Sequence, residues 1–147
     1  MVNPLQAHNS FAPCGNNNHT NLVNLNQVTV TVSDIHRSIH FYQLLGLRLI
    51  VHTHDKYARF LCPSGDSTFS LHVPDSPLTP TGTSIYFEVD DVDTKINEFI
   101  KKGISIDHMP EDKPWLWRES ELHDPDGNHI IIYHAGVNRI DPPWRLK

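Results

Sequence analysis

The chain's 147 residues suffice for one domain, or for two small half-units sharing a core. A formal charge of −5 argues against a general nucleic-acid binder, which needs a basic face, and no apolar run is long enough to span a membrane. The start lacks the basic-then-apolar plan of a signal peptide, so a cytoplasmic protein is expected.

Residues 1–24 are rich in asparagine with scattered proline and glycine, and read as a leader that is flexible or lies on the surface. Cys14 falls within it; Cys14 and Cys62 read as two free thiols, with one disulfide as the alternative. Residues 27–33 alternate polar and apolar, the period of a half-buried strand, with Gln27, Thr29 and Thr31 on one face and Val28, Val30 and Val32 on the other. Ser33 or Asp34 can cap a helix through a side-chain oxygen. Ile35, Ile39, Tyr42 and Leu45 then recur at helical spacing, and Gly46 is a natural stop. Three strands are predicted at 47–52, 57–61 and 68–73, the last two joined by the turn Pro63-Ser-Gly-Asp66. Residues 74–82 carry three prolines and no periodicity, so they connect the halves.

The second half repeats the plan. A strand at 84–89 precedes a helix at 92–102, whose buried side is predicted to carry Val92, Ile96, Phe99 and Ile100, and Gly103 ends it. Strands follow at 104–108, 118–123 and 129–134, with Asp124-Pro-Asp-Gly-Asn128 as a tight turn between the last two. With 57 residues separating Gln27 from Ser84, the order βαβββ occurs twice, an internal repeat in an α+β chain.

Asp34, Phe41-Tyr42 and Leu45-Gly46-Leu47, the second helix ending at Gly103, and Asp124-Pro-Asp-Gly-Asn128 before an apolar strand together resemble the vicinal-oxygen-chelate superfamily of glyoxalases, bleomycin-resistance proteins and extradiol dioxygenases. The resemblance covers about residues 25–136 and implies a single domain of two units, 25–73 and 83–136. In such a domain the units form a curled, cup-like mixed sheet with one helix per unit on the outside, followed here by a C-terminal tail at 137–147. A homodimer is expected, because the family closes its cup either within one chain or by exchanging units between two.

The family's metal positions fall by strand register on Gln27, Ser70, Ser84 and Ile131, of which only Gln27 is a ligand the family uses there. His72, two residues beyond Ser70 on the same face, and Glu121, opposite Ile131 across the turn, are neighbours able to substitute. The resemblance thus implies a divalent ion (Zn, Ni, Mn or Fe) on His72, Gln27 and Glu121, with Glu121 or Glu119 carrying a proton. Strand parity adds Tyr86, Glu88 and Tyr133 to the cup lining, while Trp115, Trp117 and Arg118 border its mouth as substrate contacts. Each also has a structural reading: a hydrogen-bonded His72, a solvated Glu121, and tryptophans that seal the cup or a dimer contact. His36 and His40 carry no ligand spacing, and His52 and His54 read as surface residues at a strand end.

The resemblance implies a glyoxalase-like enzyme acting on a small oxygenated molecule by metal chelation and carboxylate proton transfer. The alternatives are a non-catalytic drug or metabolite binder of the bleomycin-resistance type and, third, an extradiol-type dioxygenase.

Overall fold

The structure, a computed structural model, describes residues 24–79 and 82–146. The leader through residue 23, with Cys14, lies outside the described residues; among the described residues Cys62 is a free thiol. The elements run β1 (Gln27–Thr31), α1 (Ile35–Leu44), β2 (Arg48–Thr53), β3 (Tyr57–Leu61), β4 (Thr68–His72), β5 (Ser84–Glu88), α2 (Val92–Lys101), β6 (His108–Asp112), β7 (Arg118–His123) and β8 (His129–His134). A short 3₁₀ turn, Gly136–Arg139, follows. These are two βαβββ units with sheet orders β1-β4-β3-β2 and β5-β8-β7-β6, and the two sheets stay separate rather than closing a barrel. In each unit the first strand pairs parallel with the fourth and the remaining pairs are antiparallel.

Both helices begin and end on the signals the sequence carries. The Asp34 carboxylate accepts from Arg37 N–H at 3.0 Å, and Asp91 does the same for Thr94 N–H at 3.0 Å. These amide donors hold both carboxyls below their usual range. Gly46, just past α1, sits at φ +100°, a left-handed conformation that ends the helix without the Cβ clash an L-residue meets.

The core lies on the helix-covered faces of both sheets and is continuous between units. Val30, Val32, Ile39, Tyr42, Phe60 and Phe69 from the first unit meet Ile85, Ile96, Phe99, Leu122, Ile130 and Ile132 from the second. The Asp124–Asn128 turn docks on the first unit: Tyr42 OH donates to Asp124 Oδ2 at 2.8 Å, and Asn128 Nδ2 donates to Thr31 O at 3.0 Å. Arg37 reaches Asp126 Oδ1 at 3.1 Å, beside a Ser33–Asp126 hydrogen bond. Phe69 and Phe87 meet edge to face with centroids 5.9 Å apart.

Several expected boundaries move by one or two residues, as fraying ends do. Two differences are physical. The sixth strand lies at His108–Asp112 rather than 104–108. Ile104 is buried and Ile106 packs on the core as the chain leaves α2, so their alternation serves a loop. Pairing with β7 begins where Asp107 N donates to Glu121 O, and continues through an irregularity between His108 and Glu111. Ile100 is 45% exposed instead of buried, because one residue past Phe99 is about 100° further around the helix.

Candidate functional site

Alternation along the strands gives each sheet a second face, opposite the core. On the first sheet this face carries Gln27, Thr29, Tyr57, Arg59 and Ser70, since Thr29 pairs with Ser70 and Ser70 with Arg59. On the second it carries Tyr86, Glu119, Glu121, Ile131 and Tyr133, since Tyr86 pairs with Ile131, Ile131 with Glu121, and Tyr133 with Glu119. Ile131, Tyr133 and Ala135 form their own cluster with Trp117, apart from the main core. The second sheet therefore carries an apolar cluster on this face as well as on its core side.

The two faces differ in chemistry. The first is polar and basic: Ser70 is buried and receives Gln27 Nε2 at 3.4 Å, with Tyr57 OH 3.0 Å away. Arg59 Nε donates to Tyr57 OH at 2.9 Å, and among the described residues Arg59 has no ion pair. The second is aromatic and acidic. Trp117 stacks on Tyr133 with centroids 4.9 Å apart, and Tyr86 stands edge-on to both at 6.1 and 5.5 Å. Glu119 is only 4% exposed and accepts from Trp115 Nε1 at 2.6 Å. Burial, then the nearby Glu119 and Glu121 carboxylates, push the Tyr86 hydroxyl up; burial does the same for Tyr133, helped by Glu88. A cavity of about 690 Å³ opens along β5, lined by Tyr86, Tyr133, Lys95 and Arg139 of the second unit with Leu47 and Cys62 of the first. Its size is that of a small-molecule pocket. Burial raises the Cys62 thiol, which makes it a poor nucleophile.

The predicted site residues separate into groups. Tyr86, Trp117, Tyr133, Glu119 and Glu121 share one face, as strand parity requires. Trp115 is 44% exposed and lies over Glu119. Glu88 accepts from Ala135 and Gly136 N–H at 3.1 and 3.0 Å and pairs with Arg139, so it anchors the chain after β8. Arg118 is held by Asp93 at 2.5 and 2.7 Å and by Asp112 at 3.0 Å, which ties α2 to β6 and β7. Sequence reasoning missed Tyr57 and Arg59, although alternation in Tyr57-Ala-Arg-Phe-Leu61 already places them with Gln27.

The proposed ligands spread out. Gln27 pairs with Thr68 and His72 with Thr31, four rungs or about 13 Å apart. Glu121 lies on the other sheet, where His129 Nε2 is 3.1 Å from its Oε2. At the four positions implied by the family resemblance, Gln27 and Ser70 bond each other, Ser84 Oγ bonds His129 Nδ1 at 2.7 Å, and Ile131 is hydrocarbon. One amide, two engaged hydroxyls and an alkyl chain do not fit a divalent ion. Among the described residues, the side chains that do converge as ligands are His36, His52 and Asp55, within 4.8 Å of one another.

Comparisons with known proteins agree with this fold. The family model of the Glyoxalase/Bleomycin resistance protein/Dioxygenase superfamily matches residues 24–132. The uncharacterized protein YraH of Bacillus subtilis (strain 168) is 28% identical over 123 residues, covering 73% of this chain and 94% of its own length. TnmS3, an antibiotic binding protein from Streptomyces sp. CB03234, superposes with a TM-score of 0.68 at 23% identity, over 80% of this chain and 100% of its own. Lactoylglutathione lyase from Agrobacterium tumefaciens superposes with a TM-score of 0.61 at 20% identity, over 74% and 90%. No described helix is long and apolar enough to cross a membrane. The paired βαβββ units and the match over most of the sequence place this chain in the glyoxalase/bleomycin resistance protein/dioxygenase superfamily.

Proposed function

We propose that this chain is a non-catalytic binder of a small, flat, cationic or donor-rich molecule, as the antibiotic-binding relative TnmS3 is a binder of its own ligand. One observation carries the reading: the wall of Tyr86, Trp117 and Tyr133 stands beside Glu119 and Glu121 on a face that no described helix covers. Aromatic faces attract planar rings and cations, and carboxylates in a partly desolvated setting reward a positive charge. Among the described residues, the family's metal positions in the cup present no fitting donor set.

The binding unit we infer is a homodimer. Both cup faces point away from the shared core, and β1 and β5 are unpaired sheet edges among the described residues. A second copy would bring the Arg59 face of one subunit over the Glu119–Glu121 face of its partner and enclose the aromatic wall. The enzyme reading retains one favourable feature, the half-buried Glu121, which could move a proton if an ion were supplied nearby.

The test is ligand screening by tryptophan fluorescence against planar cationic and neutral aromatic compounds, with elemental analysis of the purified protein. Binding weakened by roughly 1–3 kcal/mol in Trp117→Ala supports the proposal, that being the usual worth of one stacking partner. Turnover of a glyoxalase substrate that needs added metal and vanishes in Glu121→Gln would replace it with the enzyme reading.

A further inference from the structure

We propose that His36, His52 and Asp55 form a binding site for a divalent transition-metal ion, of which Zn²⁺ is the simplest probe, outside the cup and independent of its ligand. The three residues come from different elements. His36 lies in the first turn of α1, His52 near the end of β2, and Asp55 in the turn to β3. That turn spans three residues, and His54 within it takes the left-handed conformation at φ +49°. The hairpin so formed brings Asp55 Oδ1 to 2.9 Å from His36 Nε2. The His36 and His52 rings stand edge to face with centroids 5.3 Å apart.

All three ligand atoms lie within 4.8 Å of one another. A tetrahedral ion with bonds of roughly 2.0–2.2 Å needs its ligands about 3.4 Å apart. The remaining gap is one that exposed side chains close by rotating, and the side chains of His36 and Asp55 are 67% and 82% accessible. Two imidazoles and one carboxylate select a borderline ion such as Zn²⁺, Ni²⁺ or Cu²⁺ over Ca²⁺ or Mg²⁺, which favour all-oxygen shells. A fourth position stays open to water or to a donor from another molecule.

The site is on the opposite side of the sheet from the ligand face. His52 pairs with Ala58, a fully buried core residue, whereas Tyr57 and Arg59 on either side of Ala58 point to the cup. A bound ion would therefore tie α1 to the exposed β2–β3 hairpin at the sheet edge without touching the aromatic wall. Its expected consequence is a stiffer, more heat-resistant first unit, since an ion that binds only the folded chain stabilises it.

The experiment titrates tag-free, full-length protein with ZnCl₂ by calorimetry, and with Co²⁺ by absorption to report the ligand geometry. On the order of one equivalent is expected, with affinity reduced at least about tenfold in both His36→Ala and His52→Ala, since even outer-sphere partners of a metal contribute that much. His40→Ala and His72→Ala should bind as the unmodified protein does. Zinc should raise the melting temperature of the unmodified chain and leave the His36→Ala/His52→Ala double variant unchanged; both side chains are exposed, so circular dichroism should show each variant folded. Absence of binding at millimolar zinc, binding that survives both single substitutions, or loss confined to His72→Ala would each overturn the proposal.

Discussion

Replacing Tyr42 by Phe removes one oxygen atom and tests how the two units are joined. Tyr42 is fully buried on α1, and its hydroxyl donates to Asp124 Oδ2 at 2.8 Å in the β7–β8 turn of the other unit. Asp124 is itself 4% exposed, and its carboxylate also accepts from Asp126 N, Asn128 N and Asn128 Nδ2 at 2.9, 2.9 and 2.7 Å. Phe keeps the ring and its contacts with Phe41, Phe60 and Phe69, so packing changes little. What is lost is a buried hydrogen bond to a charged acceptor, worth about 1.5–3 kcal/mol. Three remaining donors keep the carboxylate partly satisfied, which favours the lower half of that range, about 2 kcal/mol. Spread over the unfolding entropy of a chain this size, that is a fall of about 6 °C in melting temperature. Urea unfolding followed by tryptophan fluorescence and by circular dichroism measures it, with a lower midpoint, an unchanged slope and coincident transitions expected. A double-mutant cycle with Asp124→Asn isolates the pair and should return a coupling above about 1 kcal/mol. A Tyr42→Phe effect below about 0.5 kcal/mol, within the range of ordinary surface changes, would refute the view that this bond couples the units.

The same hydroxyl sets an alkaline limit. Burial, then the Asp124 charge, push its titration far above the ordinary value of 10.0, so the stability it contributes is complete below about pH 10 and falls as pH rises and the unfolded chain ionises, by roughly 1.4 kcal/mol per pH unit. Tyr42→Phe should flatten that part of the stability profile; an unchanged alkaline slope would mean that other groups dominate it. Gly46→Ala should destabilise by about 1–2 kcal/mol in urea, a purely backbone effect of φ +100°, because a Cβ there meets nothing within 4 Å. A neutral result would show that the helix end relaxes. Arg59→Glu should weaken self-association at least about tenfold in sedimentation, through like charges set together; an unchanged association constant would remove Arg59 from the contact.

The fold was legible because its signals are local. Alternating Val28, Val30 and Val32, Asp34 before α1 and Gly46 after it, and Asp124-Pro-Asp-Gly-Asn128 each describe their own few residues, and the repeat supplies their order. The sixth strand was not legible: Pro110 cannot donate to a ladder and His108–Asp112 carries no alternation, while Ile104 and Ile106 imitate a strand. For the candidate site, parity alone gathered Tyr86, Glu119, Glu121 and Tyr133 on one face. Parity says nothing about which charges are already engaged. Arg118 finds Asp93 twenty-five residues earlier, and Glu88 finds Arg139 beyond the end of β8. Likewise, His36 and His52 have no spacing that marks them as ligands, because only the packing of α1 against the β2–β3 hairpin brings them together.

Ladder register matches the two units residue for residue and shows where they have diverged. Thr29, Ser70 and Arg59 lie across one another on the first sheet, and Tyr86, Ile131 and Glu121 occupy the corresponding rungs of the second. The helix-side rungs stay largely apolar in both, with Val28, Phe69 and Phe60 matched by Ile85, Ile130 and Leu122, because the shared core allows little else; where Ala58 is matched by the buried Ser120, the serine hydroxyl donates to His108 O at 2.7 Å. The cup-side positions answer to no core, so they are free to take opposite charges. Two copies of the first face set together would oppose Arg59 to Arg59, and two copies of the second would crowd four glutamates. A cup built from one face of each kind sets a guanidinium opposite carboxylates and leaves the Tyr86–Trp117–Tyr133 wall as its apolar floor. The divergence of the halves therefore favours unlike faces meeting, which a homodimer achieves twice over by symmetry.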